Sequence, residues 1–146
     1  MKVFGRFGLV VLQTSLVFFA SAHSSDMNEH KSRCSGSQAE AVSCLRKEFK
    51  NRQSELNDLL NNLKQAIKKW DESPKYKAIS QMKLMAFEEQ HNKYLAARSE
   101  LDSSFVGGGA GAAREIRRLE SAIESTLFEI THLKETLKTR LPSKER

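Results

Sequence analysis

Three stretches of this chain carry apolar residues at alternating steps of three and four, and two breaks separate them. Such steps place apolar side chains on one face of an α-helix. The first break is Ser73-Pro74, a serine suited to cap a helix followed by a proline suited to its first turn. The second is the glycine-rich segment 107–111. The sequence therefore predicts an all-α fold of three long helices.

Each predicted helix buries one stripe of residues. The first stripe is Val42, Leu45, Phe49, Leu56, Leu60, Leu63, Ile67 and Trp70; the second is Ile79, Leu84, Phe87, His91, Tyr94, Arg98 and Leu101; the third is Ile116, Leu119, Ile123, Leu127, Ile130, Leu133 and Leu137. A capping box at Ser37 and Glu40 marks the start of the first helix. Three helices of about 30 residues with short connections predict an up-down-up bundle. The alternative is an extended coiled-coil dimer.

The first 22 residues have the order of a secretory signal peptide. Lys2 and Arg6 precede an apolar run over 9–20, and Ala20-Ser21-Ala22 supplies small residues for cleavage. The run is shorter than a typical transmembrane helix, so a signal peptide is the preferred interpretation. An N-terminal membrane anchor is the alternative. We therefore expect cleavage near Ala22 and a periplasmic or secreted protein.

The chain has only two cysteines, Cys34 and Cys44. In an oxidising compartment such a pair favours one structural disulfide near the N-terminus, whereas a redox role would favour the Cys-x-x-Cys spacing. The predicted organisation is a flexible arm over 23–33, a helical domain over 34–141 and a short tail over 142–146.

Charge limits the expected partners. The leader contains two of the 24 basic residues, so the expected mature chain has 22 basic and 18 acidic residues. This excess of positive charge favours binding to anionic surfaces. The basic residues concentrate in 46–69 and the acidic ones in 120–135, so the bundle is predicted to have a basic and an acidic flank. Nucleic acid is not an expected partner of an exported protein.

The sequence contains no Ser/His/Asp or Cys/His set and no metal-ligand spacing, so we expect no catalysis, metal or cofactor.

Two polar features fall inside the predicted bundle. Arg98 interrupts an apolar stripe at the level of Glu48 and Glu115, which are its expected ion-pair partners; the alternative is an arginine presented to a ligand. Asn57 and Thr131 lie at a common level and are expected to share a buried hydrogen bond.

The order of several short motifs resembles the lysozyme inhibitor LprI-like N-terminal domain family. The matching positions are Cys34, Gln38, Glu40, Cys44 and Glu55-Leu56-Asn57 in the first helix, Tyr94 and Arg98 in the second, the glycine-rich connection, and Thr131 and Lys134 in the third. Members of that family often have a second cysteine pair, near the positions of Asp102 and Ser125–Thr126, and this chain has neither cysteine. The resemblance implies a small exported helical domain.

The resemblance also implies a function by binding. The expected role is to block a lysozyme through a surface that occupies its glycan cleft. Glu120 and Glu124 lie one turn apart on the acidic flank and are the expected contacts for a basic enzyme. The alternative is an envelope interaction or scaffold protein whose basic first helix contacts anionic wall or lipid groups. The expected partner is accordingly a lysozyme or another envelope component.

Overall fold

The computed structural model describes residues 34–108 and 111–141 of the chain, and this part contains three helices and no strand. Helix α1 spans Gln38–Lys69, α2 spans Pro74–Ser104 and α3 spans Gly111–Arg140. The predicted all-α fold is confirmed. The predicted leader, arm and tail lie outside the described residues. None of the described helices has an apolar stretch long enough to cross a bilayer.

Local signals place the helix ends where the sequence predicts them. The capping box is present: the Ser37 backbone N–H donates to Glu40 Oε2 at 2.9 Å, and the Glu40 N–H donates to Ser37 Oγ at 3.4 Å. Ser73 is the N-cap of α2 and Pro74 its first residue, but the Ser73 side chain makes no capping hydrogen bond. Proline stabilises the first helical position because its fixed φ angle matches that of a helix. It loses no hydrogen bond there, because an N–H in the first turn has no acceptor within the helix.

Contacts between helices establish the up-down-up topology. Arg46 contacts Glu115 at 3.2 Å, and farther along both helices Glu55 contacts Lys134 at 2.7 Å, so α1 and α3 run parallel. The end of α2 meets the first half of α3, so α2 runs antiparallel to both. Helix α3 packs extensively against α1 and α2, whereas α1 and α2 contact each other far less. The core is therefore built around α3.

Two apolar clusters form the core. The smaller one contains Leu45, Leu119 and Ile123. The larger one contains Leu56, Leu60, Leu63, Ile67, Leu84, Ile130 and Leu133. Burial of each such side chain stabilises the fold by about 1.5–3 kcal/mol. The stripes predicted for the first and third helices supply nearly all of these residues.

The stripe predicted for the second helix is wrong in part. Leu84 and His91 are buried, but Ile79, Tyr94 and Leu101 are exposed. The buried face lies to one side of the predicted stripe, over Leu84, His91, Leu95, Ser99, Asp102 and Ser103. Polar side chains occupy much of this buried face, so the spacing of apolar residues does not predict which face of α2 is buried.

The predicted disulfide joins Cys34 to Cys44, with a Cα–Cα distance of 5.5 Å. Cys34 also packs against the smaller core cluster. The bond therefore fastens the segment before α1 onto the second turn of that helix.

Trp70, the only tryptophan, follows α1 and is half-buried. Leu137 and Leu141 pack against the core cluster that includes Ile67, at the same end of the bundle. We expect the native emission spectrum to lie at shorter wavelength than that of the unfolded chain, because part of the indole is removed from water. An emission maximum of the native monomer equal to that in denaturant would contradict this placement.

Candidate functional site

The structure brings the motif residues Glu55 and Lys134 together across α1 and α3. Lys134 Nζ donates to Glu55 Oε1 at 2.7 Å, and this hydrogen bond, followed by the one from Arg52, holds the pKa of Glu55 below its usual range. Leu56 belongs to the core, and Gln38 and Glu40 lie in the first turn of α1. These residues therefore support the fold and form no common site.

The partner predicted for Arg98 is wrong. Arg98 Nε donates to Asp102 Oδ2 at 3.0 Å, one turn farther along α2. Glu115 instead contacts Arg46 and Arg118, and Glu48 contacts Arg52. The prediction compared the heights of residues along the bundle axis and did not account for the rotation of α2 about its own axis. That rotation turns Arg98 away from the core.

Asp102 links α2 to α3. The Ser121 hydroxyl donates to Asp102 Oδ2 at 2.6 Å, and this bond, followed by the charge of Arg98, holds the pKa of Asp102 below its usual range. Here a polar contact and not a covalent bond connects the two helices at this level.

The buried hydrogen bond predicted between Asn57 and Thr131 is also wrong. Both residues are exposed, and Thr131 Oγ1 donates to the Leu127 carbonyl of its own helix at 3.0 Å. Asn57 instead lines a cleft between α1 and α2.

The two glutamates of the predicted partner surface differ in their surroundings. Glu120 is half-buried, and its Oε2 lies 3.6 Å from Arg117 Nη1. Glu124 is exposed. Of the two, Glu124 is therefore the carboxylate more available to a partner.

Glu124 lines a groove between α2 and α3. The groove has a volume of about 410 Å³ and is lined by Tyr94, Arg98, Glu124, Ser125, Phe128 and Glu129. Tyr94 is 58% exposed and Phe128 is 57% exposed, an unusual state for two aromatic rings beside one depression. We call this feature the aromatic groove.

The charges of the aromatic groove favour a cation. Arg98 is engaged by Asp102, whereas Glu129 Oε2 is buried and has no hydrogen-bond partner among the described residues. A buried carboxylate oxygen without a partner costs free energy that a cationic donor would recover. The exposed Tyr94 ring can also attract a cation at its face. The groove can therefore accept a lysine or arginine side chain from a partner.

The arginines at the start of α3 are held by contacts within the protein. Arg118 Nε lies 2.8 Å from Glu115 Oε2, Arg117 contacts Glu120, and Arg114 Nη2 donates to the Gly107 carbonyl at 3.1 Å. Gly107 has φ +69°, a conformation that suits glycine, in the turn after α2. Within the described residues, no group of three His, Cys, Asp or Glu side chains could hold a metal ion.

Comparison with family models, curated proteins and solved structures gave no match for this chain. The fold itself defines a three-helix bundle with one disulfide, and the aromatic groove is its candidate binding site.

Sequence reasoning found Tyr94, Arg98 and Glu124 but missed Phe128 and Glu129. Phe128 lies off the apolar stripe of α3, one turn after Glu124, and a large aromatic residue on the polar face of a helix was the available signal. Nothing in the sequence indicates that Glu129 lies beside α2, because that depends on the rotation of both helices.

Acid should destabilise the fold partly through Asp102. Its folded-state pKa is lowered, so its contribution to stability is complete above the ordinary carboxyl value near 4 and is lost as the pH falls through the folded pKa. We expect Asp102→Asn to reduce the loss of unfolding free energy between about pH 6 and pH 2.5. Urea unfolding at several pH values measures this. Glu135→Gln, at an exposed position, is the control; equal pH dependence of D102N and wild type would contradict the role of Asp102.

Proposed function

We propose that this chain is an exported binding protein, without catalytic activity, that docks a basic protein on its aromatic groove, and that a lysozyme is the partner to test first. The observation that carries the proposal is the groove itself. It combines two exposed rings with the exposed Glu124 and with Glu129, whose Oε2 has no hydrogen-bond partner in the described part of the chain. The lysozyme class comes from the resemblance to the LprI-like family.

Affinity for a basic partner must come from this local site. After cleavage of the leader the chain keeps 22 basic and 18 acidic residues, so a basic enzyme is repelled at long range. Debye screening at physiological salt restricts that repulsion to about 8 Å. Within the groove, desolvated aromatic and carboxylate contacts then determine the binding free energy.

The test is lysis of a cell-wall substrate by several lysozyme types at physiological salt, with and without the mature protein. We expect near-stoichiometric inhibition of at least one type. Absence of inhibition of every type at tenfold molar excess would remove the inhibitor proposal.

Two variants connect inhibition to the groove. Glu124→Lys should weaken inhibition by about tenfold or more, because a favourable contact becomes a repulsive one, and Tyr94→Ala should weaken it by a similar factor. Glu89→Lys is the matched control, since Glu89 is exposed on α2 and lies outside the residues lining the groove. Equal inhibition by E124K and E89K would place the binding surface elsewhere.

The alternative is an envelope scaffold protein that contacts anionic wall or lipid groups through α1. The observation that favours it is the exposed set Lys47, Lys50, Lys68 and Lys69. These lysines form two groups about 27 Å apart along the helix, and Arg46, Arg52 and Lys64 between or beside them contact glutamates. Binding to vesicles of anionic lipid that weakens steeply with salt would support this alternative.

A further inference from the structure

A second depression lies between α1 and α2, where those helices contact each other little, whereas the aromatic groove lies between α2 and α3. It has a volume of about 320 Å³, at the lower end of the range for small-molecule sites of about 300–1,000 Å³. We call it the polar cleft. It shares no lining residue with the aromatic groove.

The polar cleft contains a buried imidazole that the fold leaves unsatisfied. His91 lines the cleft and is only 7% exposed. Its Nε2 has no hydrogen-bond partner among the described residues, and its ring stacks on Phe87 with a centroid distance of 5.8 Å. A leucine would fill this core position without the unpaired nitrogen, so the histidine costs stability that a ligand contact would offset.

The remaining lining indicates the chemical class of the ligand. Asn57, Asn61 and Asn92 offer neutral carboxamides, each of which donates and accepts hydrogen bonds. The two charged side chains, Lys64 and Glu88, contact each other at 2.6 Å and neutralise one another. A ligand of high net charge therefore finds no unpaired counter-ion in the cleft.

Hydroxyl groups suit this lining better than other neutral groups. A hydroxyl both donates and accepts, so it can pair with His91 Nε2 in either neutral tautomer and with either end of a carboxamide. Leu56 and Leu60 provide an apolar base for the C–H face of a ring. We propose that the polar cleft binds a neutral saccharide, with His91 and the three asparagines as its hydrogen-bonding residues.

The experiment is an NMR titration of the mature protein, followed through the side-chain amide signals of the asparagines. Maltose and N,N′-diacetylchitobiose are the neutral probes, and glucuronic acid and glucosamine are the charged ones. We expect the neutral sugars to shift the cleft signals and to bind about tenfold more tightly than the charged ones, because only charged groups lose hydration without finding an unpaired counter-ion. No shift at about 50 mM sugar, or equal binding of neutral and charged probes, would overturn the proposal.

Three variants complete the test. His91→Leu should lower the affinity for the neutral probe about tenfold without lowering the unfolding midpoint, since it removes a ligand contact together with an unpaired buried nitrogen. Asn61→Ala, at an exposed position that tolerates truncation, should also weaken binding, whereas Asn51→Ala, on the same helix outside the cleft, should not. Unchanged sugar binding in H91L and N61A would show that the sugar binds outside the cleft and would overturn the proposal. Lysozyme inhibition should be unaffected in these variants, so this proposal and the proposed function can fail separately.

Discussion

Replacing Leu119 with alanine should lower the free energy of unfolding by about 2–5 kcal/mol, the largest effect expected of any single substitution considered for this protein. Leu119 is 1% exposed and lies in the smaller core cluster with Leu45 and Ile123. Truncation removes buried apolar surface and leaves a cavity among side chains of two helices, which cannot easily close it. Urea unfolding followed by circular dichroism measures the loss.

Leu101→Ala is the matched control for that experiment. Leu101 belongs to the stripe predicted for the second helix, yet it is 51% exposed. We expect its truncation to change the unfolding free energy by no more than about 0.5 kcal/mol. A loss comparable to that of Leu119→Ala would show that the predicted stripe, and not the one in the structure, faces the core.

Replacing both cysteines with serine should cost about 2–3 kcal/mol of stability. The Cys34–Cys44 bond closes a loop of sequence separation 10, and its removal returns conformational entropy to the unfolded chain. Cys34 also loses its packing against the core when the segment before α1 is released. The measurement compares urea midpoints of the oxidised protein and of the double variant.

Reduction of the wild-type protein provides the control for the double variant. Dithiothreitol should shift the wild-type midpoint to that of the variant and leave the variant unchanged, because only the covalent bond differs between the two states. A double variant as stable as the oxidised protein would show that the bond does not constrain the fold.

The sequence was sufficient to predict the buried faces of α1 and α3, because apolar residues outnumber polar ones on one face of each helix. Leu56, Leu60 and Ile67 in α1, and Leu119 and Ile130 in α3, are all buried as predicted. The capping box and Pro74 fixed the helix starts through local hydrogen bonding and backbone geometry, which do not depend on tertiary context.

Helix α2 could not be predicted in the same way. Its buried face includes Ser99, Asp102 and Ser103, while Tyr94 and Leu101 face solvent. Hydrophobic periodicity assigns the core to the apolar face, so it fails where polar side chains are buried by pairing with a neighbouring helix. The Asp102–Ser121 bond is such a pairing.

The burial of polar residues and the exposure of apolar ones on α2 also explain the candidate site. Because polar residues form part of the face of α2 that packs against the other helices, Tyr94 lies outside that face and lines the aromatic groove. Arg98 was recognised as out of place in an apolar stripe, and in the structure it marks the border between the two faces of α2 by bonding to Asp102. Glu129 could not be assigned from sequence, since its position follows from the same rotation.

The central position of α3 has a consequence for how the protein is made. A growing polypeptide that has emerged only as far as α2 holds two helices that pack little on each other, and most of their partners belong to the segment still to be synthesised. Stable tertiary structure therefore waits for the synthesis of α3. For a protein that is threaded through a membrane before it folds, as the proposed export requires, this delay keeps the polypeptide competent for translocation until α3 has left the ribosome.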